Sequence, residues 1–437
     1  MTSTIKNDIL DQLAKNVITN LEIHFSEYNT NDLQKICMAL TQNTSVVILM
    51  IQNIKIDITS VKYIGEMIKV NTTITRLTLW NNHIGADGVK YIADGLKQNT
   101  GLQYLSISGN LLGDEGVKYV MDALTNHDTY TNISILNLDL NNISHEGAKY
   151  IADMLIVNTS LKTILLNCNL ITSTGTKYIF DALKHNTTLN SLEVTSNQIG
   201  LEGIKCIAKT KNMKLNSLNI GYNNIGSKGV KYICKMLRTN TLLTCIDLTS
   251  NRIDYHGAKY IANTLTQNTS LYKLVLASNQ LGSKGIKYIS NALMDDKQNM
   301  GLKSLDLSEC NIKLKEIKYI CEMLKMNTSL NTLFLDDNKI TPYGYKYIAE
   351  ALKVNTSLNK LSLYNIEMGY CFFGCKYMAE AIKVNTSLKE FHLFNTLIGN
   401  SPECVKCVNG CKYISDALTV NSSITTMEYN NVILNRI

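Results

Sequence analysis

The fifteen residues Leu102–Gly116, LQYLSISGNLLGDEG, decide the fold. Apolar side chains at Leu102, Leu105 and Ile107 are followed by Asn110, Leu112, Gly113 and Gly116. The same offsets return from Leu189 (Leu192, Val194, Asn197, Ile199, Gly200, Gly203) and from Leu271 (Leu274, Leu276, Asn279, Leu281, Gly282, Gly285). Working outward, units begin at Ile18, Val46, Ile74, Leu102, Ile133, Leu161, Leu189, Leu215, Leu243, Leu271, Leu302, Leu330, Leu358, Leu388 and Ile424. Most spacings are 28 residues, and the departures of 26, 30, 31 and 36 read as loop deletions or insertions. Self-similarity at such a period marks a stack of identical supersecondary units.

Each part of the unit has a physical role. The alternation at Leu105 and Ile107 places two side chains on one face of a short strand. The asparagine at the ninth position (Asn82, Asn110, Asn141, Asn169, Asn197, Asn223, Asn251, Asn279, Asn338) follows where the strand ends. Its amide can donate to and accept from backbone groups that the turn would otherwise orphan. Cys310 replaces it once, and Ser26, Ile54, Ile366, Thr396 and Val432 stand there in the first two and last units. Next, Val89, Ile92, Ala93 and Leu96 recur at helical spacing. The fold class is therefore α/β: a solenoid, or horseshoe, of about fifteen units with a parallel β-sheet on the concave side and helices on the convex side. The expected organisation is a leader or cap at 1–17 and a continuous solenoid at 18–437, with atypical units at 18–73 and 358–437.

These residues resemble the ribonuclease-inhibitor-like class of leucine-rich repeats. The run LKVNTSLNKLSL at 352–363, preceded by GYKYIAEALK at 344–353, is similar to the repeat domains of NOD-like receptors and Ran GTPase-activating proteins. No G-x-x-x-x-G-K-[ST] motif occurs, so the resemblance implies the recognition scaffold without the nucleotide-binding module. It implies a protein-binding role first. The alternatives are an innate-sensor-type regulator or a GTPase activator. An activator would need an arginine at the nucleotide, and the first arginine in this chain is Arg76.

Composition narrows the classes further. The net charge of +7 is modest and comes almost wholly from lysine, with Arg only at 76, 238, 252 and 436. Nucleic-acid readers rely on arginine for bidentate contacts, so nucleic acid is not the expected partner. No apolar run reaches the roughly 18 residues of a membrane span, and residues 1–20 lack the apolar core of a signal peptide. The twelve cysteines mostly take Val, Ala or Ile positions, as free thiols do in a reducing compartment. The chain reads as a cytoplasmic monomer without a cofactor.

A partner is expected on the concave face, where strand residues alternating with the buried pair point into the hollow. These are Arg76, Trp80 and Tyr104, then Asp139, Glu193, Asp247, Asp306 and Asp336, then Tyr364, His392 and Phe394. Exposed aromatics are the common anchors of binding surfaces, and an acidic floor would steer a partner with a basic surface. Trp80, the only tryptophan, is the foremost single candidate. On the convex side Lys-Tyr recurs from Lys62-Tyr63 to Lys412-Tyr413, interrupted at Lys205-Cys206, and reads as packing between helices.

The one cluster with metal chemistry is Cys371, Cys404 and Cys407, loop thiols that could offer ligands to zinc but lack a fourth; Cys375 and Cys411 take core positions. Nine Asn-x-Ser/Thr sequons stand in register at the helix end, from Asn43 to Asn421, and read as helix caps rather than glycosylation sites. No Ser-His-Asp or paired-carboxylate motif supports an enzyme.

Overall fold

The computed structural model describes residues 2–24, 28–125, 131–210, 213–294, 301–364, 372–393, 405–429 and 432–435, with no side-chain description for 2–7, 372, 405–411, 429 or 432–435. These fall into two compact units, residues 1–223 and 224–437.

The first unit alternates helix and strand from its start: α1 (Thr2–Ala14), β1 (Asn20–His24), α2 (Thr30–Leu40), β2 (Ile48–Gln52), α3 (Ile58–Val70), β3 (Arg76–Thr78), α4 (Gly85–Leu96), β4 (Tyr104–Ser106), α5 (Gly113–Thr125), β5 (Ile135–Asn137), α6 (His145–Val157), β6 (Thr163–Leu165), α7 (Thr172–Ala182), β7 (Ser191–Glu193), α8 (Gly200–Lys209) and β8 (Ser217–Asn219). Strands β1 to β8 pair in sequence order, all parallel. The register joins equivalent positions of successive repeats, so Leu77, Leu105, Leu136, Ile164, Leu192 and Leu218 form one fully buried row. Parallel neighbours require a crossover, and each crossover here is the unit's own helix. In α4 the buried face is Gly88, Val89, Ile92, Ala93, Gly95 and Leu96, as the helical period requires.

The second unit continues the pattern with α9 (Gly226–Leu237), β9 (Cys245–Asp247), α10 (Tyr255–Leu265), β10 (Lys273–Val275), α11 (Gly282–Met294), β11 (Ser304–Asp306), α12 (Leu314–Met326), β12 (Thr332–Phe334), α13 (Pro342–Leu352), β13 (Lys360–Leu363), α14 (Phe372–Ile382), β14 (Glu390–Leu393), α15 (Val405–Val420), β15 (Thr426–Tyr429) and β16 (Val432–Asn435). Strands β9 to β15 are parallel, and β16 turns back antiparallel on β15. Each unit is thus a strand-helix solenoid of the expected class.

Two asparagine ladders bind repeat to repeat. The first is the ninth-position residue. Asn169 Nδ2 donates to Leu138 O at 3.0 Å, and its Oδ1 accepts from Asn141 N and Ile143 N of the preceding repeat, both at 3.0 Å. The second is the sequon asparagine at the helix end. Asn71 Nδ2 donates to Leu40 O at 2.7 Å and Asn43 O at 3.1 Å, while its Oδ1 accepts from Thr73 N and Ile74 N. The same arrangement recurs at Asn355, which reaches Leu324 O at 2.7 Å. These residues do more than end helices: they satisfy the orphan carbonyls of the preceding repeat's helix. All the sequon asparagines from Asn43 to Asn421 in this register are buried, so none presents its amide for glycosylation in the folded chain.

Ahead of β1, α1 buries Leu13, and Leu13 O accepts the Asn43 amide at 2.8 Å. It takes the place that a preceding repeat's helix takes elsewhere.

Candidate functional site

Side chains alternating with the buried L-x-L pair stand on the sheet face away from the helices, and most residues expected at a partner surface are there or at the turn just beyond. In the first unit Arg76 opens β3 and Tyr104 opens β4; they are register partners, and the guanidinium lies 3.8 Å from the Tyr104 ring centroid. Trp80, two residues past β3, is 40% exposed. Its indole lies over Gly109 of the next repeat, where a Cβ would come within 3.6 Å of Nε1 and where φ is +68°.

Asp139 and Glu193 are brought together through Asn167. Asp139 Oδ1 accepts from Asn167 N at 2.6 Å, and Asn167 Nδ2 donates to Glu193 Oε2 at 3.0 Å and Asp139 Oδ2 at 3.3 Å. Burial pushes the Asp139 carboxyl above its ordinary range, and the nearby Glu193 charge adds to this, while the Asn167 hydrogen bonds work against it.

In the second unit each acidic residue also has a backbone task. Asp247 Oδ1 accepts from Thr249 N (2.8 Å) and Oγ1 (2.6 Å), and Asp306 Oδ1 from Ser308 N (2.9 Å) and Oγ (2.6 Å). Asp336 Oδ1 accepts from Ser362 Oγ and Tyr364 N, both at 2.6 Å. Burial raises the Asp336 carboxyl, against those hydrogen bonds. The carboxylates are therefore oriented groups that finish strand ends, besides being negative charge. Tyr364 is exposed beside Asp336. His392 Nδ1 lies 3.2 Å from Glu428, and Nε2 lies 4.0 Å from Glu390. Phe394 lies outside the described residues.

Sequence reasoning missed Lys360, whose Nζ bonds Glu390 at 2.6 Å and lies 5.8 Å from the Phe334 centroid. The signal was present, because Lys360 and Glu390 occupy the same offset in successive repeats and are register partners on β13 and β14. It also missed a row of exposed leucines at the strand-exit turns of the first unit, taken up below.

On the helix side the Lys-Tyr ladder is a chain of contacts between repeats. Lys90 lies over Tyr119 (5.8 Å to the centroid) and Lys118 over Tyr150 (5.6 Å) in the first unit. In the second, Lys231, Lys259 and Lys287 lie over Tyr260, Tyr288 and Tyr319 at 5.7, 5.9 and 5.6 Å. Each is a weak cation–π contact.

Of the candidate zinc ligands, Cys371 and Cys404 lie outside the described residues, and Cys407 falls in α15 without a described side chain. Among the described residues no three potential ligands cluster. Cys37, Cys234, Cys310, Cys321 and Cys375 are buried, and Cys168 is exposed. Burial pushes the Cys37 and Cys310 thiols up to about 12, so both stay protonated. No helix among the described residues is long and apolar enough to cross a membrane.

A family model described as Leucine Rich repeat matches residues 70–93, 98–121, 131–152, 185–208, 211–234, 239–262 and 267–290. No curated protein matches the chain in sequence. Among solved structures, the Rad7 and Elc1 complex in yeast is similar with a TM-score of 0.50 at 14% identity, covering 84% of each chain. The TLR13–ssRNA13 complex gives a TM-score of 0.47 at 16% identity, covering 82% of this chain and 54% of that one. The tropomodulin C-terminal domain of Caenorhabditis elegans gives 0.30 at 17%, covering 38% and 92%. At these identities the yeast structure speaks for the fold alone, and the fold agrees with the matched repeats, the strand register and the asparagine ladders. The chain is a leucine-rich repeat protein.

Proposed function

We propose that the chain is a non-catalytic scaffold that binds a protein partner on the concave, sheet-lined face, acting as a cytoplasmic monomer on a partner with a basic surface. The observation that carries this reading is the chemistry of that face. On the sheet side of the first unit stands exposed Trp80, with carboxylates at Asp139 and Glu193, and on that of the second unit exposed Tyr364, with Asp247, Asp306 and Asp336; these carboxylates are held in fixed orientation by neighbouring hydrogen-bond donors. Aromatic anchors supply contact area at little cost in side-chain entropy, and oriented charge selects and steers a complementary surface. The yeast structure of this fold is itself a complex of two proteins, the same kind of use.

The test is affinity capture from cytosol with wild type, Trp80→Ala and Asp247→Lys. Trp80 is half exposed and Asp247 sits at a strand end, so neither change opens the core. Loss of captured proteins from both variants is expected. An unchanged captured set would remove the concave face as the binding surface.

A further inference from the structure

Within the first unit, four successive repeats each present one large apolar side chain at the strand-exit turn: Trp80, Leu111, Leu140 and Leu170, between 40% and 55% exposed. Tyr222 adds a fifth two repeats on, at 55%. These turns are joined directly, Asn81 N to Ser108 O, Gly109 N to Asp139 O and Leu140 N to Asn167 O, at 2.9–3.0 Å. The turns of adjacent repeats therefore lie about 5 Å apart, and the side chains leave them at three offsets from the unit starts: Trp80 at the seventh position, Leu140 and Tyr222 at the eighth, Leu111 and Leu170 at the tenth.

Two features mark this row as selected for contact rather than for folding. Leu111, Leu140 and Tyr222 have φ of 58°, 57° and 54°, the left-handed region that glycine and asparagine occupy readily and bulky residues resist. The same turn positions of the second unit carry Ser250, Arg252, Ser278, Glu309 and Asn311, also at positive φ but polar. In the first unit Asn81, His83, Asn142, Ser196 and Gln198 hold these positions at positive φ as well. The fold thus tolerates polar residues there, and Leu111, Leu140 and Tyr222 are the strained, solvent-facing apolar exceptions. Strain and an exposed apolar strip coincide where a surface is kept for a partner.

Charge beside the strip states what the partner carries. Asp139 immediately precedes Leu140 and shares the Asn167 amide with Glu193. Among the described residues neither carboxylate forms an ion pair, so two neighbouring negative charges are served by one neutral amide. A cation from outside would complete the group.

We propose that the strip Trp80–Leu111–Leu140–Leu170 with the Asp139–Glu193 pair receives a protein segment in which a lysine or arginine is flanked by apolar side chains. This rests on the reading of the sheet face as the binding side, and it assigns the contact to one rim of the first unit. Leucines seat apolar side chains along the turns while the cation reaches the shared carboxylates.

The test uses the full chain, displayed random 16-residue peptides, and two variants. Leu111→Asn with Leu140→Asn removes the strip while relieving the left-handed strain, so this variant should melt no lower than wild type. Selected peptides are expected to combine Lys or Arg with apolar neighbours and to bind the double variant at least tenfold more weakly. On Asp139→Asn they should lose their preference over Lys→Glu analogues. Enrichment of acidic or uniformly polar peptides, of peptides that bind wild type and double variant alike, or of none overturns the proposal. If peptides indifferent to the leucines are lost on Asp247→Lys, the rim falls and the concave-face reading stands; indifference to both sets removes both.

Discussion

Asn141 closes four hydrogen bonds with one amide: Nδ2 donates to Ile107 O at 2.9 Å and Asp139 O at 3.1 Å, and Oδ1 accepts from Asn110 N at 2.9 Å and Leu112 N at 3.4 Å. A buried group left unpaired costs about 1–3 kcal/mol, which is why few side chains can stand at the ninth position. Cys310 succeeds because its protonated thiol still donates to Leu276 O, at 3.3 Å, and burial keeps the proton on. Asp336 shows the opposite balance, with a carboxyl raised by burial despite two short hydrogen bonds. A carboxyl whose folded pKa exceeds its unfolded value, about 3.9, weakens the fold while ionised, and that penalty disappears as pH falls through the folded pKa. Asp336→Asn keeps the acceptor oxygen and discards the charge. Its melting temperature is expected above wild type at pH 7, with the gap closing by about pH 4. A variant less stable than wild type at pH 7 would show that the carboxylate's hydrogen bonds outweigh its burial.

The helices set the spacing that the strands need, and α3 and α4 show how closely they approach. A Cβ on Gly95 would meet the Gly65 carbonyl oxygen and lie 3.2 Å from Ile68 Cβ, and a Cβ on Gly65 would lie 2.5 Å from Tyr91 O. Replacing a mid-helix glycine by alanine favours the helix by about 1 kcal/mol. Forcing a methyl against backbone in a packed core costs about 1–3 kcal/mol. At Gly95 the obstacle is backbone and has no rotamer to escape into, so the second effect wins. Gly95→Ala is expected to lower the denaturant midpoint by an amount equivalent to about 1 kcal/mol, despite its better propensity. A raised midpoint would mean that α3 and α4 separate freely. The three-residue strands tell the same story of local constraint: β4 ends at Ser106, and the chain then spends its hydrogen bonds across the turns, Ile107 N to Asn137 O and Gly109 N to Asp139 O.

A solenoid's stability is approximately a sum over units and their interfaces, so its ends need capping. We propose that α1 does this for the first unit. Its Leu13 is buried, its last turn accepts the Asn43 amide, and it packs on α2, where Leu33, Ile36, Cys37 and Leu40 form the buried stripe. Deleting residues 2–14 leaves the Asn43 amide without its acceptor and uncovers apolar surface. The shortened chain is expected to melt several degrees lower and to associate with rising concentration in sedimentation or size-exclusion experiments. An unchanged melting temperature would show that α1 is dispensable. In the second unit β16 returns antiparallel along β15 and takes up its hydrogen-bonding edge.

The sequence by itself determined the repeat, the buried L-x-L rows, the helix stripe and the positions of the ninth-residue asparagines, because period-2 and period-3.6 burial is written locally in each unit. Most sheet-face residues were also legible, since alternation with the buried pair assigns them a side. It did not determine what those residues touch. That Asn71 reaches the preceding repeat's Leu40 carbonyl, that Lys90 covers Tyr119, and that Asp139 shares the Asn167 amide with Glu193 are contacts between residues about 28 positions apart. They exist only once register brings equivalent positions side by side. The leucines at positive φ were invisible for a related reason. In the sequence Leu111 and Leu140 are two more apolar residues in an apolar pattern, and only the backbone turn forced by closing the repeat puts them, strained, into solvent.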